Sequence, residues 1–210
     1  MCKSYYTIKH DDGYEQTIKK SRFIAYMRRV KDEDEAKAFI AEIKNQHRDA
    51  AHNCSAYVLG MGNEIQKAND DGEPSGTAGV PMLNVLIKQE LKNTAVVVTR
   101  YFGGIKLGAG GLIRAYGNSV TEAITHIGIV QRQPVQKFIV TIAYDLLGKI
   151  ENELRESSYT LLSIDYGTHV DIHVAVNIDD KEAFEDWMVN TSNNHVTITA
   201  SGTSYMEKDA

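Results

Sequence analysis

Five glycines fall between Gly103 and Gly111, separated by three residues from the strongly β-forming run before them, Ala95-Val96-Val97-Val98-Thr99. Directly after them comes a pattern of helical spacing carried by Ile113, Tyr116, Val120, Ala123, Ile124 and Ile127. Such a stretch can hardly be anything but strand, loop, helix. A short run rich in β-branched residues is a strand candidate, and apolar residues three and four apart share one face of a helix. The glycines between them let the backbone adopt positive φ and come close to a ligand. The loop reads Thr99-Arg100-Tyr101-Phe102-Gly103-Gly104-Ile105-Lys106-Leu107-Gly108-Ala109-Gly110-Gly111-Leu112-Ile113-Arg114. A second loop of the same kind precedes it: Asp70-Asp71-Gly72-Glu73-Pro74-Ser75-Gly76-Thr77-Ala78-Gly79-Val80-Pro81, leading into a helix through Met82, Leu83, Leu86 and Ile87.

Both loops end where a helix begins, and unpaired N–H groups with the positive end of the dipole favour an anion there. Arg100, Lys106 and Arg114 add positive charge, Tyr101 and Phe102 offer rings for stacking, and Gly108, Gly110 and Gly111 leave the backbone open. This chemistry suits a phosphate, a nucleotide or an RNA backbone. The alternative is that Asp70, Asp71 and Glu73 face the three cations, so that the loops neutralise each other and the glycines only permit close packing. Neither G-x-x-x-x-G-K-[ST] nor G-x-G-x-x-G with an acidic partner is present. His52 and Cys54 lie two apart on a strand candidate and share a face, without a third residue to complete a metal site.

Upstream, strands are expected around Tyr5–Ile8, Tyr14–Ile18, Arg22–Val30 and Asn53–Leu59, the last with Glu64–Ala68 as its hairpin partner. A helix should start at Asp32 and bury Ala36, Phe39, Ile40 and Ile43. Downstream, Phe138, Val140, Ile142 and Tyr144 alternate as a half-buried strand. Asp145 can cap a helix with Leu147, Ile150 and Leu154 on its apolar side. Tyr159–Ile164 and His169–Ile178 read as strands. Asp179, three residues before Glu182, resembles a capping box for a helix carrying Ala183, Phe184, Trp187 and Met188, and His195–Ala200 closes with a strand. The order βαββαβ is the split ferredoxin-like arrangement. Gln131-Arg132-Gln133-Pro134, polar and closed by proline, marks the boundary between two domains, 1–133 and 136–206.

Charge differs across that boundary. Residues 1–135 hold 18 Lys and Arg against 15 Asp and Glu, and residues 136–210 hold 5 against 13, a balance of +3 and −8. Phosphate backbones are bound mainly by Lys and Arg, so any nucleic-acid contact belongs to the first domain. The densest basic stretch there is Lys19-Lys20-Ser21-Arg22 with Arg28-Arg29. No apolar run reaches the roughly 18–20 residues that span a bilayer, and the two cysteines, Cys2 and Cys54, make no disulfide framework. A cytoplasmic protein without a membrane contact is expected.

Lys20-Ser21-Arg22-Phe23-Ile24-Ala25, His52-Asn53-Cys54, the whole first loop and Val97 through Gly117 together resemble the IMPACT family, over essentially all of the first domain. The tail is similar to the additional C-terminal domain of bacterial members. The resemblance implies an α+β protein. Its first domain should have the βαβ-type fold shared by RNase PH, the small-subunit ribosomal protein uS5 and the fourth domain of elongation factor G. Its ferredoxin-like second domain should be similar to the fifth domain of that factor. Eukaryotic relatives restrain an amino-acid-starvation kinase by competing for its activator, which implies binding in translation control. The expected partner is RNA, the ribosome or a translation-related protein, with no DNA specificity. The motif positions carried over are Arg22, His52, Asp70, Asp71, Glu73, Ser75, Thr77, Arg100, Lys106 and Arg114, none with a catalytic role, and no metal or cofactor is implied. From a different class comes an enzyme that uses a nucleotide or phosphate, kinase-like or hydrolase-like, at the two loops.

Overall fold

The computed structural model describes residues 3–210, so Cys2 lies outside the described residues. The described chain is α+β, with ten strands in two sheets and five α-helices. It divides into two compact units, one of Tyr5–Arg132 with Lys208–Ala210, the other built on Gln133–Glu207. No helix among the described residues is long and apolar enough to cross a membrane.

In the N-terminal unit β2 (Asp12–Ile18), β3 (Ser21–Arg29), β6 (Thr94–Tyr101), β4 (His52–Leu59) and β5 (Ile65–Asn69) form one antiparallel sheet in that order. Successive side chains of a strand point to opposite faces. Val96 and Val98 accordingly pack with Met82 and Leu86 of α2 (Gly79–Lys88) and with Tyr116, Val120 and Ala123 of α3 (Ala109–Ile127). Ala95 and Val97 pack instead with Ala36, Phe39 and Ile43 of α1 (Glu33–Gln46). Central β6 is thus buried on both faces, and its sequence reads as an unbroken apolar run rather than an alternation. Asp32 caps α1 through the N–H of Glu35 at 2.8 Å.

β1 (Tyr5–Ile8) pairs with the first four residues of β7 (Ile129–Ile142), outside that sheet. The stretch expected to be a connection, Gln131–Pro134, is therefore strand. Its polar residues answer β1, with Arg132 Nη1 donating to Tyr5 Oη at 2.9 Å, and Pro134 is buried. In the C-terminal unit the strand order is β10 (Thr197–Asp209), β7, β9 (Val170–Asn177), β8 (Thr160–Tyr166). Phe138, Val140, Ile142, Ile172 and Val174 pack with Ile150 and Leu154 of α4 (Leu147–Glu156) and Phe184 and Met188 of α5 (Lys181–Thr191).

Both helix caps expected here are displaced by a turn of 3-10 helix. Asp145 lies inside Tyr144–Leu146, and α4 starts without a side-chain cap. Asp179 lies inside Ile178–Asp180, where Asn177 accepts its N–H at 3.1 Å, and α5 has no side-chain cap. Ile178 consequently leaves the strand, and Ala183 is exposed.

Candidate functional site

The two glycine loops meet at a cavity of about 430 Å³ on the α3 face of β4 and β6. The first loop is held by its own acids. The Asp70 carboxylate accepts the N–H groups of Gly76 (2.8 Å), Ala78 (3.1 Å) and Gly79 (2.8 Å), which folds the loop back and caps α2 from a distance. Burial raises the Asp70 carboxyl, but these three donors outweigh it and hold it below the ordinary value. Asp71 fastens the loop to its neighbours, accepting from Lys44 Nζ at 2.6 Å and from the Asn53 N–H at 2.7 Å. Against the opposing effect of burial, these bonds keep its carboxyl low. Thr77 is buried and donates to the Pro74 carbonyl at 2.6 Å, whereas Ser75 is exposed.

Glu73 goes inward. Its side chain is 3% exposed, and Oε1 accepts from Arg100 Nη1 at 2.6 Å and from Tyr116 Oη at 2.8 Å. Of the two roles the sequence left open for Arg100, anion recognition or pairing with an acid of the first loop, the structure has the second, a buried ion pair with Glu73. The Arg100 guanidinium also lies 5.5 Å from the ring centroids of Phe23 and Phe102. Among the described residues Oε2 of Glu73 makes no hydrogen bond, and it lies 3.8 Å from His52 Nε2. Across the ring, His52 Nδ1 is 2.9 Å from the Asp71 carbonyl. A carbonyl only accepts, so Nδ1 donates and Nε2 is left facing the cavity. Cys54, two residues on, is buried and donates to the Asp70 carbonyl at 2.9 Å, and burial pushes its thiol up to about 12. It is no thiolate partner for His52, and among the described residues no three His, Cys, Asp or Glu side chains gather as a metal site.

Lys106, Phe102, Leu107 and Ala109 complete the cavity wall on the second loop. Helix α3 is preceded by Gly108 at φ 72°, with no side-chain cap. The Leu112 N–H returns to the Gly108 carbonyl at 2.9 Å, leaving those of Ala109, Gly110 and Gly111 unpaired by the helix. Lys106 and Arg114 are exposed, with no ion pair or hydrogen bond among the described residues.

Two of the expected site residues are elsewhere. Arg100 and Tyr101 are neighbours on β6 and so face opposite ways. The Tyr101 ring, on the α1 side, carries Arg22 at 4.7 Å, and Arg22 pairs with Glu15 at 3.4 Å. The rest of the basic stretch is spoken for in part: Arg28 meets Glu42 and Asp11, and Arg29 donates to the carbonyls of Ile8 and Lys9.

Sequence reasoning passed over His47. It is buried and bridges Tyr26 Oη at Nε2 and Tyr101 Oη at Nδ1, both at 2.8 Å. Burial, helped by the charge of Arg22, holds its pKa below the ordinary value. A neutral imidazole gives one of these bonds and accepts the other. A protonated one can only give, so the tyrosine hydroxyl that donated must turn away, and burial opposes the added charge. Because the folded value is the lower one, this stability is complete above the unfolded value of about 6.5 and is lost as pH falls through the folded one. In urea titrations at a series of pH values, His47→Gln should flatten the decline in stability on the acid side of that value. An unchanged slope would show that the bridge contributes nothing to it.

A family model described as the Impact N-terminal domain matches residues 19–124, and one described as a domain of unknown function (DUF1949) matches residues 140–195. The chain is 54% identical to "IMPACT family member YvyE" of Bacillus subtilis, over 99% of this chain and 96% of that protein. It is 37% identical to "IMPACT family member YigZ" of Escherichia coli, over 77% and 80% respectively. A solved structure described as that of a hypothetical protein superposes with a TM-score of 0.61 at 31% identity, covering 96% of this chain and 99% of the other.

Proposed function

The chain belongs to the IMPACT family, and from that premise we propose that it is a cytoplasmic binding protein of translation control that contacts RNA through its N-terminal unit. The observation that carries this reading is an imbalance between the loops. Every acid of the first loop is engaged, Asp70 by N–H groups, Asp71 by Lys44 and Glu73 by Arg100. Lys106 and Arg114 of the second loop keep their charge for something else. The loops therefore cancel only in part, at Glu73 and Arg100, and the two exposed cations, Lys106 and Arg114, lie by an uncapped helix N-terminus. The strand order β10-β7-β9-β8 with two helices on one face supports a ferredoxin-like second domain. We read the first as the RNase PH and elongation factor G domain IV type.

Charge-assisted hydrogen bonds contribute about 1.5–3 kcal/mol each. Lys106→Ala should weaken binding of a single-stranded oligoribonucleotide about tenfold or more, with an unchanged melting temperature. Binding should also fall steeply with salt as counterions are released. Titrations of Lys106→Ala and Arg114→Ala at two salt concentrations check this. Equal affinity for all three proteins would remove the reading and turn attention to a protein partner.

One observation favours the enzyme reading: His52 Nε2 and Glu73 Oε2 open onto the same cavity. Phosphate release from a nucleoside triphosphate that His52→Ala abolishes would establish it.

A further inference from the structure

The cavity beside the second loop has three kinds of wall, and their order specifies a ligand. At its inner end are two unsatisfied groups that can both accept, Glu73 Oε2 and His52 Nε2, 3.8 Å apart. Glu73 is almost fully buried and Arg100 already pairs with its other oxygen, so this end recognises hydroxyl donors rather than a cation. Two neighbouring acceptors suit two neighbouring hydroxyls. Along one side Phe102 is 52% exposed, with the Arg100 guanidinium 5.5 Å from its ring centroid. An exposed ring at the mouth of a cavity is a platform for a planar group, and stacking on it is indifferent to which base is offered. At the outer end are Lys106 and the uncapped N-terminus of α3, a place that favours negative charge.

Two further observations point to an occupant. Arg100, 6% exposed, leaves its Nε buried without any hydrogen-bond partner at the cavity wall, a costly omission in a finished core. Gly110, in the first turn of α3, has neither of the usual reasons to be glycine. Its φ is not positive, and a Cβ there would meet nothing within 4 Å. A glycine in a helix costs about 1 kcal/mol relative to alanine, and here it keeps the approach to the helix N-terminus open. The volume lies toward the lower end of the roughly 300–1,000 Å³ usual for small-molecule sites, enough for one nucleotide and not for a strand.

We propose that the cavity binds a single ribonucleotide with a free 2′,3′-diol. The diol sits on Glu73 and His52, the base on Phe102, and the 5′-phosphate on Lys106 and the α3 N-terminus. This rests on the RNA-binding reading and narrows it. In RNA only the 3′-terminal residue has both hydroxyls free, so the chemistry is that of an RNA 3′ end or of a free mononucleotide. The 2′-hydroxyl also separates RNA from DNA.

The test uses the full chain and five probes: a linear oligoribonucleotide ending in a 3′-hydroxyl, the same oligomer ending in a 3′-phosphate, its circular form, 5′-AMP and 2′-deoxy-AMP. The expected result is that the 3′-hydroxyl end binds at least tenfold more tightly than the phosphorylated and circular forms. Phe102→Ala, which removes the stacking ring, should erase that difference, and an unchanged melting temperature would show that the fold is intact. Diol-dependent binding of 5′-AMP equal to that of the oligomer would support the proposal with the free nucleotide as ligand. Equal, salt-sensitive binding of all three oligomers with no preference for AMP over 2′-deoxy-AMP would overturn the proposal and leave the RNA reading standing. No binding of any RNA would overturn both.

Discussion

Arg100→Ala should destabilise the N-terminal unit by about 3–5 kcal/mol, the usual cost of removing one member of a buried ion pair. The reason is what stays behind. Glu73 would keep its place at the back of the cavity with Tyr116 Oη as its one remaining donor, and its side chain, 3% exposed, can take up little water there through Oε2 in place of the lost guanidinium. The guanidinium also packs between Phe23 and Phe102, and that contact goes with it. In thermal unfolding followed by far-ultraviolet circular dichroism, the loss should lower the midpoint by roughly 10 °C or more. Arg100→Met combined with Glu73→Met should lose less than the sum of the single substitutions, since no charge is then stranded. The chain's one tryptophan, Trp187, lies in the C-terminal unit, so if the units unfold separately its fluorescence transition should not move. A loss below about 1 kcal/mol, typical of exposed pairs, would show that Glu73 is in contact with water.

Gly103→Ala should be at least as damaging, by a different route. A Cβ on Gly103 would stand 1.9 Å from the Lys20 carbonyl oxygen, 2.0 Å from its carbon and 2.6 Å from the Ser21 nitrogen. These are backbone atoms in the hairpin between β2 and β3, where Lys19 and Lys20 already hold positive φ of 45° and 67°. Neither side can swing away as a side chain would, so one strand connection must move. Overpacking typically costs about 1–3 kcal/mol, and a backbone collision this close belongs at or beyond the upper end. Gly104→Ala is the matched control. Nothing lies within 4 Å of its Cβ, and only its φ of 82° is unfavourable, a cost of about 1–2 kcal/mol. Melting the two variants side by side separates collision from conformation. If Gly103→Ala is no worse than Gly104→Ala, the close approach of the second loop to the hairpin is looser than described.

Much of the fold was legible because it is local. The buried run of β6, the α1 cap at Asp32 and the apolar face of α3 each follow from residues within a turn or two of one another. The strand through Gln131–Pro134 was not, because its pairing partner is β1, more than 120 positions earlier. Polar residues beside a proline look like a linker until that partner is known. The two displaced caps failed more narrowly: a 3-10 turn slips in ahead of each helix, and no periodic pattern registers three residues. At the candidate site, composition located the two loops and left open whether they cancel. That depended on which way each charge points. Alternation alone sends Arg100 and Tyr101 to opposite faces, which was available from the sequence. The hydroxyl of Tyr116 was hidden in plain view, since the residue fits the apolar face of α3 and also supplies a donor to Glu73. His47 lies at the C-terminal end of α1, where nothing in the local pattern marks its two tyrosine partners.

Cys54 has a bearing on how this protein weathers oxidants. Reaction with peroxide or a disulfide requires the thiolate, and a thiol raised to about 12 and donating to the Asp70 carbonyl offers almost none at neutral pH. Cys54 is therefore poorly placed as a redox sensor and well protected as a structural one. Through an episode of oxidative stress the loop that it secures should keep its shape, so the neighbouring cavity would stay competent when thiol-dependent proteins around it have been switched off.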